Sequence, residues 1–137
     1  MLGAFGLSQK LPELPDWVTA RYAAHIALYK TTLRRFVREA DFYRLTAQPR
    51  RFGRGERWAA FQYAMPNDSE HLVAVFRLPG GTPERTLRLY RLNPAREYTL
   101  TWLQSNRTDR RRGANLLANG LRCDDLPEEG SALILLR

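Results

Sequence analysis

Carboxylate side chains are the residues of this sequence that could supply an acid and a base for hydrolysis. Such chemistry needs two carboxyl groups that face the same reacting bond. Nearly all of the candidates lie in segments whose composition predicts turns, where carboxylates usually cap backbone N–H groups or face solvent. We therefore assign no catalytic residue. The candidates are Asp41, Glu56, Asp68, Glu70, Asp109, Asp124 and Asp125.

The two histidines and the single cysteine are the candidates for metal binding or nucleophilic catalysis. His25 lies in a predicted helix and His71 starts a predicted strand, and neither has a second ligand at metal-site spacing. Cys123 follows Arg122, whose charge could favour a thiolate, but the segment is more simply a packed strand or loop. We expect no metal site and no cofactor. One cysteine also excludes a disulfide scaffold and fits a reducing, cytoplasmic compartment.

Arginines near aromatic residues are the pattern that could indicate nucleic-acid or carbohydrate binding. Single-strand binders interleave cations with stacking rings, whereas here the arginines lie in predicted loops and the aromatics at core spacing in strands. We expect solvated loops and no nucleic-acid partner, with a stand-alone nucleic-acid-binding module and a carbohydrate-binding module kept as alternatives. The residues are Arg107 and Arg110 to Arg112, Arg50, Arg51, Arg54 and Arg57, and Trp58, Phe61, Tyr63 and Trp102.

Length and composition indicate one domain with its own core. The chain has 137 residues, 44% of them hydrophobic and 26% charged, with a net charge of +8. Its basic residues are nearly all arginine, a skew that a GC-rich coding sequence produces whatever the function. No apolar run approaches the ~20 residues that a membrane span needs. The start, residues 1–7, lacks the pattern of a signal peptide, which also favours the cytoplasm.

Residues 1–40 are predicted to contain an irregular segment and one long amphipathic helix. Leu2, Phe5, Leu7 and Leu11 in the irregular part are free to pack against another surface. Asp16 follows a proline and is expected to be the helix N-cap. Apolar residues then recur at helical spacing, which predicts one buried stripe. The stripe is Val18, Tyr22, Ile26, Tyr29, Leu33 and Phe36.

Residues 41–137 are predicted to form antiparallel strands. The runs 58–65, 71–78, 86–92 and 97–103 are separated by turn residues and predict a four-stranded meander. In the last run Tyr98, Leu100 and Trp102 alternate with polar residues, so one face should be core and the other solvent. Residues 105–112 are expected to be a polar loop. Residues 113–121 lack the spacing of a phosphate loop and predict tight turns, with 132–136 as the last strand.

The fold class that follows is mainly β: an antiparallel, Greek-key-like β-sandwich preceded by one long N-terminal amphipathic helix. We divide the chain into residues 1–40, the irregular segment and helix, and residues 41–137, the β-sandwich. No internal repeat or low-complexity tract interrupts this arrangement.

The order of several short motifs resembles a known family. The strings IALYK (26–30), LRRFV (33–37) and DFYRL (41–45) resemble the end of the catalytic barrel in family-36 type alpha-galactosidases. The later stretches WAAFQY (58–63) and VFRL (75–78), the turn at 89–94 and the NGL-containing segment 113–121 resemble the C-terminal β-sandwich of those enzymes. The resemblance covers nearly the whole chain.

The resemblance implies a non-catalytic accessory domain of a glycoside hydrolase. The family's catalytic carboxylates lie on a barrel of more than about 200 residues, and no residue here matches their motifs. The helix would be the last helix of that barrel, and the sandwich would stabilise the barrel or an oligomer interface. The implied partners are the barrel and, through exposed apolar residues such as Leu2, Phe5, Trp17 or Leu28, a second copy. We expect no activity from this chain alone.

Overall fold

The structure, a computed structural model, describes residues 11–50 and 54–137. The chain divides into two compact units, one ending at Ala40 and the other beginning at Asp41. Predictions about Leu2, Phe5, Leu7 and Arg51 lie outside the described residues, as does the side chain of Leu11.

The first unit contains the predicted long helix in three sections. Helix α1 (Asp16–Leu28) runs into one π-helical turn (Tyr29–Leu33) and then into α2 (Arg34–Glu39). In the π turn, the Arg34 N–H donates to the Tyr29 carbonyl five residues earlier. The Thr31 hydroxyl donates to the Ala27 carbonyl at 2.8 Å and competes with the regular ladder at that point.

The start of α1 differs from the expectation. Asp16 is the first helical residue rather than the N-cap, and Pro15 caps the helix with its carbonyl, which accepts from the N–H groups of Val18 and Thr19. Proline has a fixed φ and no N–H, so it fits this position at no cost in hydrogen bonds. The Asp16 carboxylate still lies in the first turn, where the helix dipole favours negative charge.

The predicted apolar stripe is the least exposed side of the helix, but it is unevenly buried. Leu33 and Phe36 are 2% and 0% exposed, whereas α1 contains no buried residue. Val18, Tyr22 and Ile26 are half-buried. Trp17 is 65% exposed, and Leu28 is half-buried rather than exposed.

The second unit is built on two antiparallel sheets. A six-stranded sheet has the order β1-β2-β3-β8-β5-β6, and strands β4 and β7 form a separate pair. This architecture confirms the predicted fold class. The strands are β1 (Asp41–Arg44), β2 (Trp58–Ala64), β3 (His71–Arg77), β4 (Arg85–Leu87), β5 (Glu97–Trp102), β6 (Thr108–Arg112), β7 (Leu121–Cys123) and β8 (Ser131–Leu136).

The predicted four-stranded meander is wrong after its first hairpin. Strand β8 lies between β3 and β5, and β4 pairs with β7 in the other sheet. The sequence of β8, SALILL, is almost wholly apolar, so a central position that buries both faces suits it best. The run 86–92 cannot continue as a strand because Arg91 has a left-handed backbone, with φ +56°.

Two predicted irregular segments are regular. The expected loop 105–112 contains β6, which pairs with β5 along the sheet edge. The expected turns at 113–121 contain helix α3 (Gly113–Asn119), which buries Leu116. Gly113 is required there because a Cβ would lie 2.0 Å from the Asn93 carbonyl oxygen. Gly120 ends the helix with φ +73°, a left-handed angle that glycine adopts readily at a helix C-terminus.

The core lies on one face of the large sheet, against β4, β7 and α3. The predicted alternation in β5 is confirmed, since Tyr98, Leu100 and Trp102 are 0%, 0% and 7% exposed. The expectation of a solvent face is wrong for β2, β3 and β8. Their other face is buried too, as the 4% exposure of Tyr63 and the 2% exposure of Leu72 show.

Candidate functional site

Asp41 and Asp68 are brought together by Arg91, a residue that sequence reasoning did not single out. The Arg91 Nη1 donates to Asp41 Oδ2 at 2.6 Å, and its Nε lies 2.9 Å from Asp68 Oδ1. Because the guanidinium stands between the carboxylates, it takes the place that a reacting bond would need. Retaining glycosidases hold two carboxyl groups about 5 to 5.5 Å apart with substrate between them. The Arg91 cluster (Asp41, Asp68 and Arg91) therefore links the start of β1 to the turns that contain Asp68 and Arg91.

The Arg91 cluster continues into a pair of stacked rings. The rings of Tyr43 and Tyr90 lie 5.6 Å apart, centroid to centroid. A hydrogen bond with Tyr43 and the charge of Asp68 raise the pKa of Arg91, so its guanidinium stays charged. Arg91 and Asp68 both have left-handed backbones, with φ +56° and +53°. Non-glycine residues keep such angles only where surrounding contacts hold them.

Glu56 is the most buried of the paired candidate carboxylates. Its side chain is 16% exposed. Its Oε1 accepts from the backbone N–H groups of Arg57 and Trp58 at 3.0 and 3.1 Å, and its Oε2 accepts from Arg85 at 2.7 Å. These three bonds engage both carboxylate oxygens and tie the side chain to the start of β2 and to Arg85.

The remaining candidate carboxylates each pair with an arginine of their own. Asp109 accepts from Arg111 at 2.8 Å, and that bond lowers the pKa of the Asp109 carboxyl. In each pair an arginine engages the carboxylate, which gives that side chain a structural contact. The other pairs are Glu70 with Arg137, Asp124 with Arg122, and Asp125 with Arg107.

His71 is fully buried and belongs to a hydrogen-bond network at the ends of β2 and β3. Its Nδ1 lies 3.1 Å from Nε2 of Gln62. Gln62 also accepts from the Tyr90 N–H at 2.9 Å and donates to the Tyr90 carbonyl at 2.7 Å. The ring of His71 packs edge-on against Tyr98 at 5.7 Å. Burial lowers the pKa of His71 to about 4, so the ring is neutral at ordinary pH.

Sequence reasoning missed Gln62 and Tyr90. The signal for Gln62 was present, because it is the one strongly polar side chain in the otherwise apolar strand WAAFQYA. A buried amide of this kind must find partners. Nothing in the sequence identifies Tyr90 as that partner, since only its backbone takes part.

Cys123 is unsuited to nucleophilic catalysis. It is 6% exposed. Burial, together with the charges of Asp125 and Asp124, raises the pKa of its thiol to about 12. The thiolate that would attack a substrate is therefore almost absent at neutral pH. The other histidine, His25, is exposed on α1.

The aromatic residues considered as stacking platforms are mostly buried. Trp58 and Trp102 are 1% and 7% exposed, and Tyr63 is 4% exposed. Only the half-buried Phe61 keeps partial access to solvent, and the guanidinium of Arg44 lies 5.8 Å from its ring centre. Neither tryptophan can therefore be the base-stacking or sugar-stacking surface considered above.

Some arginines of the two groups contact protein partners, as Arg111 does with Asp109. Arg107 lies over the Trp102 ring at 4.3 Å and pairs with Asp125. Arg57 donates to the Pro79 carbonyl at 3.1 Å. Arg110 and Arg112 extend from the edge strand β6 on the face away from the core.

Within residues 11–50 and 54–137, His, Cys, Asp and Glu side chains form no group of three that could hold a metal ion. Over the same residues, no helix has both the length and the apolar character that crossing a membrane requires.

Comparison with solved structures gives matches over almost the whole chain. A variant of the GH36 alpha-galactosidase AgaA from Geobacillus stearothermophilus, solved with raffinose, is 25% identical over 92% of this chain, with a TM-score of 0.71. AgaB from the same organism is 27% identical over 92%, with a TM-score of 0.68. The chain resembles part of the GH36 alpha-galactosidases. That resemblance, predicted from the sequence motifs, is confirmed.

The match involves only a small share of each enzyme. The chain spans 16% of the AgaA and AgaB structures. An alpha-galactosidase from Lactobacillus brevis has the same fold at 16% identity and a TM-score of 0.69, over 93% of this chain and 17% of its own. No protein-family model and no curated protein matches the sequence.

Proposed function

We propose that this chain is a non-catalytic accessory domain of an alpha-galactosidase-like glycoside hydrolase, located at the C-terminal end of its catalytic barrel. The observation that carries the proposal is the coverage of the structural match. Nearly all of this chain, 92%, corresponds to only 16% of an alpha-galactosidase. A segment of that size is too short to contain a catalytic barrel.

The use of the carboxylates supports a structural role. Glu56, Asp109 and the Arg91 cluster hold loops and strands through arginine contacts rather than facing a common cleft. Hydrolysis by the family's mechanism needs a carboxyl pair around one sugar. We therefore expect the isolated chain to leave an alpha-galactoside such as p-nitrophenyl alpha-galactopyranoside unhydrolysed.

The partner in this proposal is the catalytic barrel, and α1 is the element that would contact it. The helix presents half-buried Val18, Tyr22 and Ile26 and the exposed Trp17, and none of its residues is buried. Apolar helix surface of this kind usually becomes an interface. The boundary at residue 40 would then separate the last barrel helix from the sandwich, and the cytoplasm would be the compartment of the whole enzyme.

The deciding experiment is to sequence the source DNA upstream of the Met1 codon. An open reading frame that encodes a barrel with paired aspartate motifs would support the proposal. The longer protein would then be expressed with and without residues 1–137, and we expect the truncated form to lose thermal stability and activity. A stop codon and ribosome-binding site directly before Met1 would refute the hydrolase role.

A matched pair of substitutions in α1 tests the interface within the longer protein. Ile26→Asp places a charge on the half-buried side, whereas Ala27→Asp places the same charge on the exposed side. We expect Ile26→Asp to lower Tm by several degrees and Ala27→Asp to change it little. Equal effects would mean that α1 contacts no barrel.

The isolated chain offers a second measurement. If α1 is made for a partner, the 137-residue chain should self-associate through the helix as its concentration rises. Sedimentation velocity on wild-type and Trp17→Glu chains measures this, with loss of association expected in the variant. A wild-type monomer at every concentration would remove the self-association.

A further inference from the structure

Gln62 is a buried side chain whose orientation is fixed by the backbone of Tyr90. Its Oε1 accepts from the Tyr90 N–H at 2.9 Å, and its Nε2 donates to the Tyr90 carbonyl at 2.7 Å. A backbone N–H can only donate and a carbonyl can only accept. The pairing therefore determines which end of the amide carries nitrogen, and the amide cannot flip without losing both bonds.

This orientation determines which tautomer the neutral His71 ring adopts. The Gln62 Nε2 lies 3.1 Å from His71 Nδ1, so Nδ1 must be the acceptor of an N–H. The neutral ring then carries its proton on Nε2. With a proton on Nδ1, the His71 N–H and the Gln62 amide N–H would point at each other. Both residues are 0% exposed, so water could not separate the two donors.

The charges around the ring do not offset this cost. Asp68, in the turn before β3, favours the charged ring, while Arg91 and Arg96, in the segment before β5, oppose it. Tyr98 contributes only a ring contact, and Glu70, next in the chain, pairs with Arg137. The Asp68 backbone also favours the charged ring, although the Nε2 has no hydrogen bond of normal geometry within the described residues.

Residues 90–91 form a short exposed segment between two buried leucines. Leu89 and Leu92 on either side are 2% and 5% exposed and anchor it, whereas Tyr90 is 42% exposed. Arg91 is held at φ +56°, a left-handed angle that an arginine does not favour. The contacts around this segment include the Tyr90 bridge to Gln62 and the Arg91 ion pairs with Asp41 and Asp68. Tyr43 adds a ring stack with Tyr90 and a hydrogen bond with Arg91.

We propose that the Gln62–His71 pair is an acid-sensitive latch on residues 90–91. When His71 takes a proton from solvent, Gln62 loses its acceptor and turns, Tyr90 is released from strand β2, and Arg91 relaxes from its left-handed conformation. The anchors at Leu89 and Leu92 confine the movement to this segment. The latch belongs to the sheet unit itself and does not rest on the proposed hydrolase role.

The direction of the pH dependence follows from linkage. The ring has a pKa near 6.5 in water and about 4 in the closed state. The closed state is therefore fully favoured above pH 6.5, and its advantage is lost as the pH falls from 6.5 to 4. Over that interval the open population rises as the pH falls, because opening at Tyr90 and Gln62 lets water reach the ring and raises its pKa toward the ordinary value.

Amide hydrogen exchange on the full 137-residue chain tests the latch. The protection factor of the Tyr90 amide, corrected for intrinsic exchange, should fall by about tenfold or more between pH 6.5 and 4. The Val73 amide in the centre of the sheet should keep its protection. A constant Tyr90 protection, or an equal loss at Val73, would overturn the proposal, since the second result means global unfolding.

Two substitutions separate His71 from the rest of the chain. His71→Asn places an amide oxygen near the position of Nδ1, keeps an acceptor for Gln62 and cannot titrate. We expect Tyr90 protection to become independent of pH in this variant. His25→Asn removes the exposed histidine on α1 and should leave the transition unchanged. If His71→Asn folds and retains the pH dependence, His71 is not the latch.

A direct titration guards against failure of His71→Asn to fold. In the His25→Asn chain, His71 is the only imidazole, and its ¹⁵N chemical shifts report both its pKa and the nitrogen that carries the proton. A pKa near 4 with the proton on Nε2 supports the latch. A pKa near 6.5, or a proton on Nδ1, overturns it.

Discussion

The sheet unit contains two polar networks, the Gln62–His71 pair and the ion pairs of Arg122. They differ far more in burial than in the length of their contacts. Gln62 and His71 are 0% exposed, whereas the side chains of Arg122, Glu84 and Asp124 are 61%, 59% and 48% exposed. The Arg122–Glu84 contact is 2.5 Å long and the Gln62–His71 contact is 3.1 Å. The shorter contact nevertheless contributes less to stability, because water solvates both of its charges when it is broken. Burial therefore determines which polar contacts the fold depends on.

The largest effect should come from Gln62→Leu. The substitution removes both bonds to the Tyr90 backbone and the N–H that His71 accepts, leaving buried polar groups without partners. We expect the free energy of unfolding in urea to fall by about 2 to 3 kcal/mol. Gln48→Leu is the control, since Gln48 is exposed and only accepts from Arg44 at 3.2 Å. A loss no larger than that of the control would mean that burial does not determine how much a hydrogen bond contributes to the free energy of unfolding.

Glu56→Gln should have an intermediate effect. An amide oxygen still accepts from the N–H groups of Arg57 and Trp58, but the charge-assisted bond to Arg85 is weakened. We expect a loss of about 1 kcal/mol in the free energy of unfolding. Glu129→Gln removes an exposed charge and should leave that free energy unchanged. A loss equal to that of Gln62→Leu would contradict the comparison, because the partly exposed Glu56–Arg85 pair would then contribute as much as the buried network.

Arg122→Gln should have the smallest effect. It removes exposed ion pairs with Glu84 and Asp124, so we expect a loss below about 0.5 kcal/mol at low salt and none at 1 M salt. Arg88→Gln, at an exposed position of the same charge, measures the change caused by net charge alone. A loss above 1 kcal/mol that persists in salt would contradict the comparison.

The parts of the fold that were predictable from sequence depend on local patterns. The helical stripe from Val18 to Phe36, the alternation through Tyr98, Leu100 and Trp102, and the hairpin between 58–65 and 71–78 are each encoded within a few neighbouring residues. The insertion of β8 between β3 and β5 pairs segments far apart in the chain. Local patterns contain no information on such pairings, which is why the meander was wrong.

The candidate site was less predictable than the fold. The candidate carboxylates could be found by type, but several of their arginine partners come from distant segments, as Arg91 does for Asp41, fifty positions earlier. Strand β6 was mistaken for a loop because charge density, rather than periodicity, dominates its sequence TDRRR. The role of Tyr90 rests on backbone atoms, which every residue shares.

The position of β6 has a consequence for contacts between copies of the domain. Its row of arginines lies along one outer strand of the sheet, where unpaired N–H and C=O groups could otherwise template a neighbouring chain. Two such edges meeting would bring the exposed guanidinium groups of Arg110 and Arg112 in both copies close to one another. The opposite outer strand, β1, has a different character, with Phe42 51% exposed. Disordered aggregation of concentrated domains should therefore start at β1, and a lysine at position 42 should suppress it.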